Sequence, residues 1–343
     1  MRHITARRLP VTLLGLAAVA AILAGCGEKK EFTGAPPTQP LTLLLDYVPN
    51  ADHAVIFTAQ AEGNFRRSGL NVTIRTPDNP ADPLQLLAAG KVDLAISYEP
   101  ELLLARDRGE QLVAVGALIQ RPLTSIMAVP GSPVTHPPSD LAGKTVGTAG
   151  IAYQTAYLTT ILRHAGIDPS SVHQVNVGFN LIPAMLSHRV DATLGAYWNV
   201  EAVQLRHEHR PPVVVPVDRA GVPSYDELVV VARRQTLANQ GALVRRFMQA
   251  LSQASKIVRA NPARAVHDLI ALNPGIGDAN VLADQVHTTL PAFFPTNTSK
   301  PFGYMDPNEW ANYGQWMFDN KLLSHNPYAA DALTDEFLPG QGI

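Results

Sequence analysis

One cysteine, Cys26, occurs in 343 residues, so an intramolecular disulfide and a cysteine-based metal cluster are both excluded. Net charge is also small, formally −2, and no electrostatic argument favours nucleic acid or an anionic membrane surface as a partner. Beyond the N-terminal segment, no stretch approaches the roughly 20 apolar residues that a membrane-spanning helix needs. Catalytic signatures are missing too: there is no Gly-x-Ser-x-Gly elbow, no phosphate loop, no Gly-x-Gly-x-x-Gly and no His-Glu-x-x-His. His207 and His209 are two apart, a spacing that does not face two side chains together on a helix, so they read as surface residues rather than joint metal ligands. No catalytic residue, metal or cofactor is expected.

What is present is a good core, 46% hydrophobic against 16% charged, in a chain long enough for two domains. Arg2, Arg7 and Arg8 precede an apolar run at 14–23 and then Leu23-Ala24-Gly25-Cys26. A basic start, a short apolar core and small residues at the end describe an export signal, and the last four residues resemble a bacterial lipoprotein signal. Residues 1–25 are therefore expected to be removed, with Cys26 lipidated and the chain held on the outer side of a membrane by its acyl groups. Residues 26–40, rich in Gly, Pro, Lys, Glu and Thr, read as a flexible tether.

After the tether, strand and helix alternate. Strand patterns at 41–45 and 71–76 are interleaved with helical ones at 53–67 and 82–89, and residues 92–101 read Val-Asp-Leu-Ala-Ile-Ser-Tyr-Glu-Pro-Glu. The order then returns: strand 144–148, helix 152–164, strand 172–177, helix 181–188, and at 190–201 Val-Asp-Ala-Thr-Leu-Gly-Ala-Tyr-Trp-Asn-Val-Glu. Each Val-Asp opens a run with apolar or small residues at nearly every position, the mark of a strand buried on both faces. The fold class is α/β, with two βαβ lobes of parallel strands and a helical C-terminal region. Crossings between lobes are expected at Pro130-Gly131-Ser132-Pro133 and at Gly221-Val222-Pro223-Ser224-Tyr225. Lobe I would then be 41–128 plus 227–343 and lobe II 129–226, joined by a two-stranded hinge of the kind that lets lobes close on a ligand.

In open α/β sheets, ligands bind at the carboxyl edge of the strands. Tyr47, Tyr98, Tyr153, Tyr197 and Trp198 all fall at or just beyond strand ends, where aromatic faces stack on a flat ring. Glu99 and Glu201 supply acceptors for amino or protonated ring nitrogens, and Asn50, Asn180 and Asn199 both donate and accept. Plainer roles stand beside these: Glu201 favouring a helix N-terminus, Tyr98 and Trp198 packing in the core, His53 and Tyr153 without ligand contact. Gly147-Thr148-Ala149-Gly150 before a helix reads as a tight strand-to-helix turn in preference to a backbone anion site, and Trp310, Tyr313 and Met317 as core in preference to ligand contact.

With these residues the chain resembles the solute-binding lipoproteins of bacterial ABC importers, in the branch that binds pyrimidine precursors of thiamine. The motifs are Asp46-Tyr47-Val48-Pro49-Asn50-Ala51-Asp52-His53, Ala89-Gly90-Lys91-Val92-Asp93 running into Ser97-Tyr98-Glu99-Pro100, Gln120-Arg121-Pro122-Leu123, Trp198-Asn199-Val200-Glu201 and Gly221-Val222-Pro223-Ser224-Tyr225-Asp226-Glu227-Leu228. The family usually has Trp where Tyr47 stands here. The resemblance implies a two-lobed periplasmic-binding-protein fold of type II, a monomer that closes on an aminomethylpyrimidine and presents it to a membrane permease with its ATPase. It adds Asp46 and Tyr225 to the site, and the ligand is expected between Tyr47, Tyr98 and Trp198. The same fold also binds riboflavin, alkanesulfonates or nitrate, serves in extracellular sensors, and carries the pyrimidine precursor synthases, soluble enzymes with a cysteine-rich motif and an active-site lysine and histidine.

Overall fold

The computed structural model describes residues 38–325 and 331–341. The expected signal at 1–25, Cys26 and the tether as far as residue 37 lie outside the described residues. Structure starts earlier than expected, because the first strand already includes Gln39 and Pro40.

In chain order the first half runs β1 (Gln39–Leu44), α1 (Ala54–Ala61), α2 (Asn64–Arg67), β2 (Leu70–Arg75), α3 (Pro83–Ala88), β3 (Leu94–Ser97), α4 (Glu99–Asp107) and β4 (Leu112–Ile119). Next come β5 (Thr124–Ala128), β6 (Thr145–Thr148), α5 (Ala152–His164), β7 (His173–Asn176), α6 (Leu181–Leu186), β8 (Ala192–Tyr197), α7 (Glu201–His207) and β9 (Val213–Pro216). The chain continues with β10 (Leu228–Arg233), α8 (Arg234–Ala260), α9 (Pro262–Leu272), α10 (Ala279–Thr289) and α11 (Pro307–Asp319). The helix expected over 53–67 is interrupted at Gly63, whose φ of +71° suits glycine and few other residues.

The strands form two sheets of the same design, ordered β2-β1-β3-β10-β4 and β7-β6-β8-β5-β9. Three parallel strands are followed in each by a strand antiparallel to its neighbours on both sides. That fourth strand comes from elsewhere in the chain: β10 returns to the first sheet after the whole of the second, and β5 enters the second straight after β4. The first crossing is therefore residues 120–123, not the proline-rich stretch at 130–133, and 124–128 belong with the second sheet rather than with lobe I. Pro130 and Gly131 only turn the chain after β5. The second crossing, between Pro216 and Leu228, contains the expected Gly221–Tyr225 stretch.

Both Val-Asp pairs sit at one mechanical position. Asp93 Oδ2 accepts from Thr42 N at 2.7 Å and Asp191 Oδ2 from Thr145 N at 2.8 Å, while the aspartates' own N–H groups donate back to the Thr42 and Thr145 carbonyls. Each carboxylate fastens the third parallel strand to the first before the apolar run begins. On the outer layer, α8 turns Leu243, Val244, Phe247, Met248 and Leu251 inward, and Phe247 stacks on Phe65 at 5.2 Å. Asp306 caps α11 through Asn308 N, and Trp310, Tyr313 and Met317 are buried on its inner face. No described helix is long and apolar enough to cross a membrane.

Candidate functional site

Past the end of β1, Asp46 is buried with both oxygens engaged: Oδ1 with His53 Nε2 and Oδ2 with the Tyr98 hydroxyl, each at 2.9 Å. Asn50 caps the short turn of helix at Ala51–His53, accepting from Asp52 N through Oδ1, and His53 Nδ1 accepts from Asn50 N at 3.2 Å. With Nδ1 an acceptor, the pattern assigns the imidazole proton to Nε2, which donates to Asp46. Asp46 and His53 thus brace the loop that carries Tyr47 and hold Tyr98 in place.

Tyr47, Asn50, Tyr98, Tyr197 and Glu201 meet around a cavity completed by Ala149, Ile151, Gln154 and Gly195. It is narrow, about 20 Å³ in volume, little more than one water requires. An aromatic ring does not fit in that volume as it stands. The Tyr47 hydroxyl is buried without a partner among the described residues, and burial followed by the nearby Glu201 and Asp46 carboxylates pushes its pKa well up, so it stays a donor. Glu201, first residue of α7, accepts from Tyr197 N at 2.7 Å through Oε2; its Oε1 has no hydrogen bond among the described residues. Burial raises the Glu201 carboxyl to about 7 against the backbone bonds that lower it. Gly195 has a φ of +123°, a backbone conformation that residues with a side chain rarely adopt, and a Cβ there would also lie 2.5 Å from Gln154 Nε2. No lysine, arginine or histidine lines the cavity among the described residues.

The remaining expected residues stand elsewhere. Glu99, buried, accepts from Asp226 N at 2.7 Å, and burial together with the Asp226 carboxylate raises its pKa. Asn199 Nδ2 donates to Asp52 Oδ1 and Thr289 Oγ1, each at 2.6 Å, tying the end of β8 to α10. Trp198 donates from Nε1 to Pro122 O at 2.9 Å and faces a separate open groove with Arg121, Arg206 and Arg219, so the ligand seat between Tyr47, Tyr98 and Trp198 is not formed. Tyr153 and Tyr225 are buried in an aromatic cluster with Tyr157 and Tyr313. Tyr153 touches the cavity only through Tyr98, at 5.2 Å between ring centres, and Asn180 stands at the N-cap of α6 without a side-chain cap bond and lines no part of the cavity.

Glu227 was not anticipated. Its Oε2 accepts from Leu123 N (2.5 Å), Thr124 N (2.9 Å) and the Tyr225 hydroxyl (2.9 Å), and its Oε1 from the Thr124 hydroxyl (2.9 Å) and the Tyr197 hydroxyl (3.3 Å). One fully buried carboxylate joins both crossings and reaches a cavity tyrosine. Apart from its place in the motif 221–228, its sequence signal is no more than an acidic residue directly before the apolar run 228–232. Gln154 and Gly195 likewise gave no signal beyond helix and strand. Among the described residues no group of three or more His, Cys, Asp or Glu side chains is placed to hold a metal ion.

The family described as NMT1/THI5 like matches residues 50–265. The formylaminopyrimidine-binding protein of Halalkalibacterium halodurans is 33% identical over 299 residues, 86% of this chain and 90% of that protein. A 4-amino-5-hydroxymethyl-2-methylpyrimidine phosphate synthase of Saccharomyces cerevisiae is 27% identical over 254 residues, 70% of this chain and 73% of the enzyme. Among solved structures, the alkanesulfonate-binding protein SsuA from Xanthomonas axonopodis, bound to MOPS, superposes with a TM-score of 0.67 at 17% identity, over 88% of this chain and 99% of that one. This likeness is one of fold: two α/β lobes of the periplasmic-binding-protein type.

Proposed function

The chain belongs to the NMT1/THI5-like family, and within it we propose that this protein is a solute-binding component of an ABC importer that takes up an aminomethylpyrimidine. The observation that carries this reading is the pairing of Glu201 with three tyrosines around a cavity that has no basic lining residue among the described ones. Glu201 accepts from the exocyclic amine or a protonated ring nitrogen, a charge-assisted bond. Tyr47, Tyr98 and Tyr197 supply flat faces for the ring, and the unpartnered Tyr47 hydroxyl supplies a donor for a ring nitrogen or a formyl oxygen.

Two neighbouring activities fit less well. An alkanesulfonate or nitrate is an anion, and a buried carboxylate facing it is repulsive. A synthase of the kind implied by the family resemblance needs a lysine and a histidine at the ligand, but the lining contains neither, and His53 has both ring nitrogens engaged by Asp46 and Asn50. Binding without covalent chemistry is what this residue set serves. We further propose that the crossings at 120–123 and 217–227 act as the hinge, that the closed form docks on a permease driven by its ATPase, and that acyl groups on Cys26 keep the protein at the extracytoplasmic face of the membrane.

The test is thermal unfolding of the mature domain with hydroxymethylpyrimidine, formylaminopyrimidine, riboflavin, taurine and nitrate. A ligand present at a hundredfold excess over its dissociation constant adds about 2.7 kcal/mol to the native state. The pyrimidines alone are expected to raise the midpoint. A shift with taurine or nitrate and none with the pyrimidines overturns the reading.

A further inference from the structure

The narrow cavity is walled on one side by Tyr47, Asn50 and Glu201. The same three residues also form part of the wall of a second, outer chamber. The outer chamber holds about 430 Å³ against about 20 Å³ for the inner one, and of the two only the outer volume falls in the range of about 300–1,000 Å³ usual for small-molecule sites. Its walls carry apolar faces, Phe179, Ile182 and Leu186 on the second-sheet side and Ile276 and Leu282 on the side of α10, with the amides Asn50, Gln204 and Gln285 among them. Tyr47 and Phe179 meet edge to face across the two sides at 4.7 Å and 75°. The lining holds two carboxylates, Glu201 at the junction and Glu208 at the rim, and no lysine, arginine or histidine among the described residues.

We propose that the outer chamber is a second subsite, which takes a positively charged ring carried on the exocyclic methylene of the aminopyrimidine seated inside. This rests on the pyrimidine reading of the inner cavity and extends it from a one-ring to a two-ring ligand. Three features of the chamber select that occupant. The two cavities share three lining residues, so a displacement of Tyr47 that admits a ring to the inner one also joins it to the outer. The apolar faces suit a ring rather than a hydrated chain, with Tyr47 and Phe179 offering π faces to a cation. The acidic, non-basic lining favours positive charge and turns away a phosphate on the same methylene.

Calorimetric titration of the mature protein with thiamine, which carries a cationic second ring, and with hydroxymethylpyrimidine, which lacks it, tests the subsite. The wild type is expected to bind thiamine about tenfold more tightly or better, about 1.4 kcal/mol for each factor of ten. Ile182→Lys places a like charge in the chamber at a half-buried position. It is expected to abolish the preference for thiamine while leaving hydroxymethylpyrimidine within about twofold, and Leu186→Lys, also half-buried, should repeat the result should the first variant unfold at lower temperature. Hydroxymethylpyrimidine binding with equal or weaker binding of thiamine overturns the subsite and leaves the inner reading standing. Thiamine preference unchanged in both lysine variants also overturns it, and failure of both ligands to bind overturns the two readings together.

Discussion

Asp93 and Asp191 do the same work in the two lobes, fastening the third parallel strand to the first through a backbone N–H, yet the strands they open end differently. β3 delivers Tyr98 to the cavity and then Glu99 to the backbone of Asp226 at the second crossing. β8 delivers Tyr197 to the cavity, sends Trp198 and Asn199 to Pro122, Asp52 and Thr289, and only then places Glu201 beside the cavity. Three extra residues after the tyrosine are enough to exchange the roles of two glutamates. A shared strand-start motif therefore reports a shared framework, and the chemistry resides in how far past the strand the carboxylate falls.

Removing what both lobes depend on breaks the comparison most severely. Glu227→Ala orphans the N–H groups of Leu123 and Thr124 and three hydroxyls at once, at a site with no access to water. A loss of about 3–5 kcal/mol is expected, read as a lower midpoint in urea unfolding. A loss below 1 kcal/mol would mean that the two crossings hold together without it.

The equivalence of the fasteners is tested by Asp93→Ala and Asp191→Ala. Each leaves one part-buried strand N–H unpaired, Thr42 or Thr145, and each is expected to lower stability by about 1–3 kcal/mol. Values that agree within about 1 kcal/mol uphold the equivalence, and a wider gap breaks it.

The difference between the lobes is tested by ligand titration. Glu201→Gln should weaken an aminopyrimidine by about tenfold, with Glu99→Gln within about twofold of wild type; equal losses would erase the distinction. Glu201 also sets a pH dependence. Burial raises its carboxyl from 4.5 to about 7 in the folded protein, so the folded state holds the proton more firmly than the unfolded chain does. Its contribution is fully present below about pH 4.5 and is lost as pH rises through about 7. Asp226, at about 7, acts in the same direction. Unliganded Glu201→Gln should fall less steeply in melting temperature than wild type between pH 5 and 8.

The framework was legible in the sequence because its strands are buried on both faces: β3 and β8 are uninterrupted apolar or small runs, and the helix expected at 152–164 is α5 residue for residue. The first crossing was misplaced because prolines at 130 and 133 signal a turn without saying which sheet precedes it, and the five residues of β5 fit either sheet by pattern. Which side chains reach the cavity was less legible. Aromatic residues at strand ends picked out Tyr47, Tyr98 and Tyr197, but the same rule picked out Trp198 and Tyr153, whose destinations depend on the Pro122 carbonyl and on α5 packing. Glu227 looks in sequence like any acidic residue before a strand, and three of its five hydrogen bonds come from Leu123 and Thr124, about a hundred residues away, a separation that local patterns do not encode.

The exchange of fourth strands also fixes an order of assembly. As the chain is made from its N-terminus, every strand of the second sheet exists once Pro216 has been added, whereas the first sheet, begun earlier at Gln39, lacks its β10 until Arg233. Until then β3 and β4 have no strand between them. The half of the molecule that is started first is thus the half that can be completed only last, and no fragment ending before β10 contains a whole first sheet.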